Sequence, residues 1–196
     1  MSILKDLKTP VFNAERLVKL PAFDQYSIIV KENSYKEINL TISEFLSNFK
    51  METVNCRLTS VSKWSVRANW QGILWTEFVK WMCPCSFTYT VFESYGGYVT
   101  AVYNEDLLNP RVLIAFKVND EDIEKEYGGP IRMIIPNLWG YKSCKWLHKI
   151  TFTDEYTKGY WESYGYDDRG FIEPSIIYDV NSKTNKEING GEVVDF

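Results

Sequence analysis

The pattern that most constrains this chain is a succession of short runs rich in β-branched and aromatic residues. They cover residues 26–31, 53–59, 87–93, 98–103, 112–118, 131–135 and 145–153, the run at 131–135 being bracketed by Pro130 and Pro136. Such side chains suit a pleated, half-buried surface, and each run has the length of a strand. Helical signals are fewer and shorter. Thr41-Ile42-Ser43-Glu44 has the form of a capping box, with Phe45, Leu46 and Phe49 supplying a buried face. Residues 75–82 predict a second helix with Phe78, Val79 and Met82 on one side, and Asn104 is placed to cap a brief turn over 105–108. Strands interrupted by short helices, without a regular βαβ rhythm, predict an α+β domain of mixed β-sheets with a few short helices.

One hydrophobic core comfortably organises 196 residues, and no repeat or linker divides the chain. Residues 1–174 are expected to form the main unit, followed by a polar extension over 175–196. There Asn189-Gly190-Gly191 is a turn signal between two strand-like pieces, 175–180 and 192–196, giving either an edge hairpin or a tail.

A net charge of −4 argues against a nucleic-acid partner, which needs a basic footprint. Lys142, Lys145 and Lys149 make a local basic stretch suited to a small anion rather than a polymer. No run reaches the roughly 18 apolar residues of a membrane span. Residues 1–10 carry Lys5 and Lys8 but no apolar signal-peptide core, so the expected location is cytoplasmic. Cys56, Cys83, Cys85 and Cys144 form neither a CxxC pair nor a disulfide framework. Cys83-Pro84-Cys85 has no second ligand cluster and reads as buried thiols before it reads as a metal site. The single histidine, His148, lies in a strand-like run. It excludes polyhistidine metal sites and leaves little basis for a Ser-His-Asp or Cys-His engine.

The densest information lies in residues 127–146, YGGPIRMIIPNLWGYKSCKW. Gly128-Gly129-Pro130 makes a turn that lets backbone approach something closely. A strand follows with Arg132 near its start, then a loop over 137–141 ending in Lys142-Ser143-Cys144-Lys145. Small residues flanked by lysines, with a hydroxyl and free amides, make a cradle for a phosphate, and Arg132 can clamp the same oxygens. The alternative on these residues alone is a solvated basic loop between two core strands.

This segment resembles the short bacterial and archaeal members of the sulfite oxidase-like family, which bind a molybdenum–molybdopterin cofactor. That family has a similar GGP turn, an arginine in the next strand and a KSxKW-type segment that holds the cofactor phosphate. Trp64-Ser65 and Trp70-Gln71-Gly72-Ile73 resemble its WS and WxGV elements, and residues 94–108, SYGGYVTAVYNEDLL, its GGYTT…EDLL stretch. Gly159-Tyr160-Trp161-Glu162 and residues 165–170, GYDDRG, resemble its GYWE and GYHxRG motifs. The motifs keep their order from Pro10 to Arg169, most of the chain. The resemblance implies molybdopterin as the cofactor, with Ser94, Arg132, Ser143, Cys144 and Lys145 as its binding residues. It further implies oxygen-atom transfer on a small oxo-anion or oxo-substrate, with Ser60, Lys63 and Tyr127 at the reacting end. A separate electron-transfer protein is then expected, because no haem-binding module is evident in the chain.

The pattern breaks at the metal. The family's molybdenum ligand is a cysteine in a segment resembling CVTRWS, whereas residues 60–65 read SVSKWS and put Ser60 at the ligand position. Thiolate is a soft donor that stays charged on coordination, and a serine hydroxyl is far harder to ionise. Cys56, four residues earlier, lies about 13 Å away along an extended strand. Cys144 stands where the family usually has a small apolar residue, and Thr59, Tyr127 and Asp167 stand where it tends to have histidines. These changes fall on the metal and pterin side; the phosphate side is kept. Lys63 and Arg67 remain near the site to attract an oxyanion. Two readings stay open: an oxygen-atom-transfer enzyme with molybdenum ligation at Ser60 in question, and a non-catalytic relative that keeps the fold and the phosphate and pterin site. A third, a carbohydrate-stacking platform of Trp139, Tyr141, Trp146, Tyr160, Trp161, Tyr164 and Tyr166, competes with ordinary core and rim packing.

Overall fold

Two mixed sheets grow out of these strand runs. The computed structural model describes residues 3–15, 18–32, 36–82, 84 and 86–196, so Cys83 and Cys85 lie outside the described residues. In chain order the first half holds α1 (Ile3–Asp6), β1 (Ser27–Glu32), β2 (Lys36–Thr41), α2 (Ile42–Asn48), β3 (Glu52–Ser60), β4 (Trp64–Leu74) and α3 (Trp75–Met82). Next come β5 (Tyr89–Ser94), β6 (Val99–Tyr103), β7 (Leu113–Val118), β8 (Glu121–Asp122) and β9 (Arg132–Ile134). The chain ends with β10 (Leu147–Thr153), α4 (Tyr160–Ser163), β11 (Ser175–Asp179) and β12 (Thr184–Ile188).

The first sheet runs β2-β1-β10-β5-β6, with β1 parallel to β10. The second follows β12-β11-β4-β7-β8, with β3 added on β4 and β9 on β7, and β11 parallel to β4. Both sheets are therefore mixed, and the few helices are short, which is the α+β class that the sequence predicts. Alternation along β7 shows how the layers form: Ile114 and Phe116 enter the larger core cluster, while Leu113 and Ala115 enter a second one on the opposite face. The larger core lies between the sheets and is closed by helices. Thr41 Oγ1 accepts from Glu44 N at 3.3 Å and Thr41 N donates back to Glu44 Oε2 at 2.7 Å, so the capping box is present. On α3, Trp75, Phe78 and Met82 are buried, and Phe78 stacks on Phe45 with centroids 5.7 Å apart. Each such buried ring contributes roughly 1.5–3 kcal/mol.

Four local expectations are corrected. The polar extension does form a hairpin, β11 paired with β12, but its turn spans 180–183 rather than Asn189-Gly190-Gly191, and 192–196 is not a strand. The reason is Asp179: its carboxylate accepts from Asn181 N and Ser182 N, both at 3.2 Å, and so builds the turn immediately after β11. Asn104 does not cap the 3-10 turn Asp106–Leu108 with its side chain; its Oδ1 accepts from Thr90 Oγ1 at 2.6 Å instead. Lys142 and Lys149 are not available to an anion, since one pairs with Glu162 and the other with Glu93. Trp139 and Trp146 are buried, which leaves the proposed carbohydrate platform without two of its rings. No helix among the described residues is long and apolar enough to cross a membrane.

Candidate functional site

A cavity of about 210 Å³ opens where the N-terminal residues cross the second sheet, next to the segment 127–145. Local backbone rules shape that segment. A 3-10 turn, Lys125–Tyr127, ends on Gly128 with φ +99°, and a Cβ on Gly129 would overlap the Ile123 carbonyl. Glycines are required at both places. The chain then enters β9, where Arg132 pairs with Ala115 of β7.

Arg132 is 2% exposed, lies 5.7 Å from the Trp70 ring centroid, and among the described residues directs its side-chain hydrogen bonds to carbonyls. Nη1 donates to Tyr127 O at 2.6 Å, Nη2 to Ser143 O at 3.3 Å and Nε to Met133 O at 3.3 Å. Burial lowers its pKa to about 10. Lys145 is similar. Its Nζ donates to Asn13 Oδ1 at 2.6 Å, Phe12 O at 3.0 Å and Glu126 O at 3.3 Å. Burial first, then the nearby Arg132 charge, brings its pKa down to about 7. Two cations that share a cavity and, among the described residues, lack a directly paired carboxylate favour an incoming anion. The polar wall adds Thr9, whose Oγ1 is buried without a hydrogen-bond partner, and Tyr127, whose hydroxyl donates toward Leu4 O and Thr9 O.

Behind this wall the loop is pinned from within. A 3-10 turn, Gly140–Lys142, carries Lys142 inward, where its ammonium pairs with Glu162 and also donates to Ala101 O at 2.9 Å. Both side chains are 0% exposed, and the pair joins the loop to α4. Ser143 Oγ accepts from Ile135 N at 3.0 Å. The cavity's other side is aromatic: Trp161 lies 5.1 Å from Tyr166, and Tyr166 lies edge-on to Tyr141 at 5.5 Å.

Of the residues singled out from sequence, Ser60, Tyr127, Arg132, Ser143 and Lys145 line the cavity. Ser94, Lys63 and Cys144 are not in its lining. Ser94 Oγ faces the carboxylate of Glu15, which does line the cavity. Lys63, at φ +65°, sits over the Trp139 ring at 4.8 Å, and Cys144 belongs to the larger core. Sequence reasoning missed the N-terminal segment altogether: Thr9, Phe12, Asn13 and Glu15 all line the cavity, and nothing in their residue types announces it.

At the β3–β4 turn, Ser60 Oγ accepts from Ser62 N at 3.2 Å. Among the described residues no cysteine lines the cavity. Cys56 is buried in the second core cluster and burial pushes its thiol up to about 12, far from a ready thiolate. Nor does any group of His, Cys, Asp and Glu among the described residues have the makings of a metal site. Among the described residues the cavity's donors fit a phosphate, and none of them is a thiolate.

A mixed-sheet α+β domain with a cavity lined by Arg132 and Lys145 is the class that fold and site define. Residues 17–161 match the family described as oxidoreductase molybdopterin binding domain, and the chain belongs to that family. It is 35% identical over 112 residues to the uncharacterized oxidoreductase YuiH of Bacillus subtilis, covering 56% of this chain and 57% of that protein. It is 26% identical over 176 residues to the protein-methionine-sulfoxide reductase catalytic subunit MsrP of Campylobacter jejuni, covering 79% of this chain and 59% of that one. The crystal structure of the sulfane dehydrogenase SoxCD from Paracoccus pantotrophus superposes with a TM-score of 0.65 at 14% identity, over 90% of this chain and 49% of that chain. The fold is therefore of the sulfite oxidase-like, molybdopterin-binding type. The chain spans about half to three-fifths of the length of these proteins.

Proposed function

We propose that this chain holds molybdopterin by its phosphate at Arg132 and Lys145 and works as an oxidoreductase on a small oxo-substrate. The observation that carries it is the pair of cavity cations whose hydrogen bonds, among the described residues, go to neutral oxygens. When it carries molybdenum, this cofactor supplies two-electron oxygen-atom transfer. The chain's own residues do the rest. Arg132 and Lys145 neutralise the phosphate, and the Lys142–Glu162 pair keeps their loop in register with α4. Ser143 and Cys144 shape the same loop, Ser143 by capping Ile135 N. Tyr127 fixes the N-terminal segment across the site. Trp161, Tyr166 and Tyr141 exclude water from the approach, and Lys63 at the β3–β4 turn attracts an oxyanion. A separate electron-transfer protein and a cytoplasmic location complete this reading. Among the described residues Cys56 and Cys144 are buried free thiols, which suits a reducing compartment.

A second reading has its own support. No cysteine among the described residues lines the cavity, which favours a relative that keeps the pterin phosphate site without ligating molybdenum. The test is to purify the protein from a host that makes molybdopterin, then measure pterin by fluorescence after oxidation and molybdenum by elemental analysis. Pterin with about one molybdenum per chain supports the oxidoreductase. Pterin alone supports the second reading. Neither, when a thiolate-bearing relative loads normally in the same host, overturns both.

A further inference from the structure

Lys145 and the Tyr98 amide in this cavity, and Ser94 beside it, are engaged by one piece of chain, residues 3–15, which precedes the family-matched region 17–161. Its anchor is firm. Leu4 is 1% exposed in the second core cluster, and Tyr127 Oη donates toward the carbonyls of Leu4 and Thr9 at 3.3 and 3.2 Å. Past Thr9 the segment crosses the cavity in a different manner. Val11 and Phe12 are 44% and 64% exposed, yet the neighbouring polar atoms are directed inward.

Lys145 Nζ donates to Phe12 O, Asn13 Oδ1 and Glu126 O. An ammonium has three protons, so a further acceptor must displace one of these. Two residues on, the Glu15 carboxylate rests on Ser94 Oγ and accepts from Tyr98 N at 2.9 Å. A Cβ on Gly96 would meet that carboxylate, so a glycine there is what permits its approach. The segment thus sets amide and carbonyl oxygens on Lys145, and a negative carboxylate on Ser94 and Tyr98. A phosphate would offer its own oxygens to the same donors.

We propose that residues 10–15 form a built-in competitor for the anion site, so that a phosphate-bearing ligand reaches Lys145, Ser94 and Tyr98 by exchanging with Phe12, Asn13 and Glu15. This rests on the phosphate-site assignment above. The exchange is local. Its main apolar penalty is the loss of the tilted contact between Phe12 and Trp161, centroids 5.5 Å apart, while the Leu4 anchor stays in the core. What lies beneath is suited to the incoming group: Arg132 uses three of its five N–H bonds on carbonyls, and the buried Thr9 hydroxyl has no partner. A phosphate outcompetes neutral oxygens at an ammonium because charge-assisted hydrogen bonds are about twice as strong.

The test uses inorganic phosphate and the full chain. Calorimetric titration compares the wild type with Asn13→Ala and Glu15→Gln, each of which weakens the competitor without entering the core. Both variants should bind phosphate about 3- to 10-fold more tightly, the worth of one hydrogen bond. Phosphate should also speed chymotrypsin cleavage after Phe12 in the wild type. Equal affinity in all three proteins with unchanged cleavage overturns the competition and leaves the anion site standing. Weaker binding in the variants, with phosphate protecting Phe12, makes the segment a wall that closes on the ligand, and likewise overturns it. If none of the three binds phosphate at millimolar concentration, the anion site falls and the competitor with it.

Discussion

The two ends of the cavity are built on opposite terms. At one end Arg132 and Lys145 are held in low-dielectric surroundings by carbonyl and amide oxygens, with their pKa values lowered to about 10 and about 7 by burial. At the other, the Ser60 hydroxyl accepts from the backbone of its own turn, in Ser62, and Cys56 sits buried four residues away. Keeping unneutralised cations buried is unfavourable, and a protein retains them where a ligand offsets the penalty. A serine in a hydrogen-bonded turn carries no such penalty and needs no ligand. On the proposed reading the first end suits an anion, and among the described residues no thiolate faces the second.

The largest effect should come from breaking the scaffold of the cationic end. Lys142→Met strands Glu162 as a buried charge and should cost about 3–5 kcal/mol in chemical denaturation, with Glu162→Gln on top recovering much of it. A cost below about 1 kcal/mol would mean that this end is not rigidly pinned. Arg132→Met comes next. Charged hydrogen bonds are worth about 1.5–3 kcal/mol each, so bound pterin should fall about 10- to 100-fold while thermal melting still shows a folded chain. Retained pterin would move the anion site elsewhere. The serine end is sharpened by Ser60→Cys, which supplies the soft donor: molybdenum should rise roughly tenfold toward one atom per chain. A wild type already loaded to that level would erase the contrast between the ends.

How much of this was legible in the sequence depends on how local each cause is. The strand runs and the Thr41–Glu44 capping box are short-range patterns and appear as predicted. β4 carries Ala68, Asn69, Gln71 and Gly72, a composition poor in β-branched residues, and it is a strand because it pairs with β3, β7 and β11 at once. The hairpin turn was misplaced because Asp179, not the Asn-Gly-Gly signal, supplies the turn's hydrogen bonds. In the site, Arg132 and Lys145 were visible through their spacing after the Gly-Gly-Pro turn. The inward course of Lys142 was not, since its partner Glu162 is twenty residues away and on another element. The N-terminal wall was invisible for the same reason: Asn13 meets Lys145 across 132 residues.

The smallest effect, and the one closest to the chemistry, is a pH dependence of anion binding. Lys145 is faced by Arg132, which lowers its pKa, and by Glu15 and Glu126, which raise it; burial outweighs them all and sets it at about 7. Only the protonated amine attracts an anion strongly, so affinity should fall as pH rises through about 7. Sulfate is the useful probe because its own charge is constant there. Between about pH 6 and about pH 8.5 its affinity should drop about fivefold, less than full titration would give because Arg132 stays charged. Stability moves the other way. The unfolded amine titrates near 10.4, so between about pH 7 and about pH 10 the unfolded chain holds the extra proton and unfolding becomes harder as pH rises. Lys145→Met should flatten both curves. A wild-type sulfate affinity that stays level across this window would show that Lys145 is not the titrating half of the pair, and the anion end would then rest on Arg132 alone.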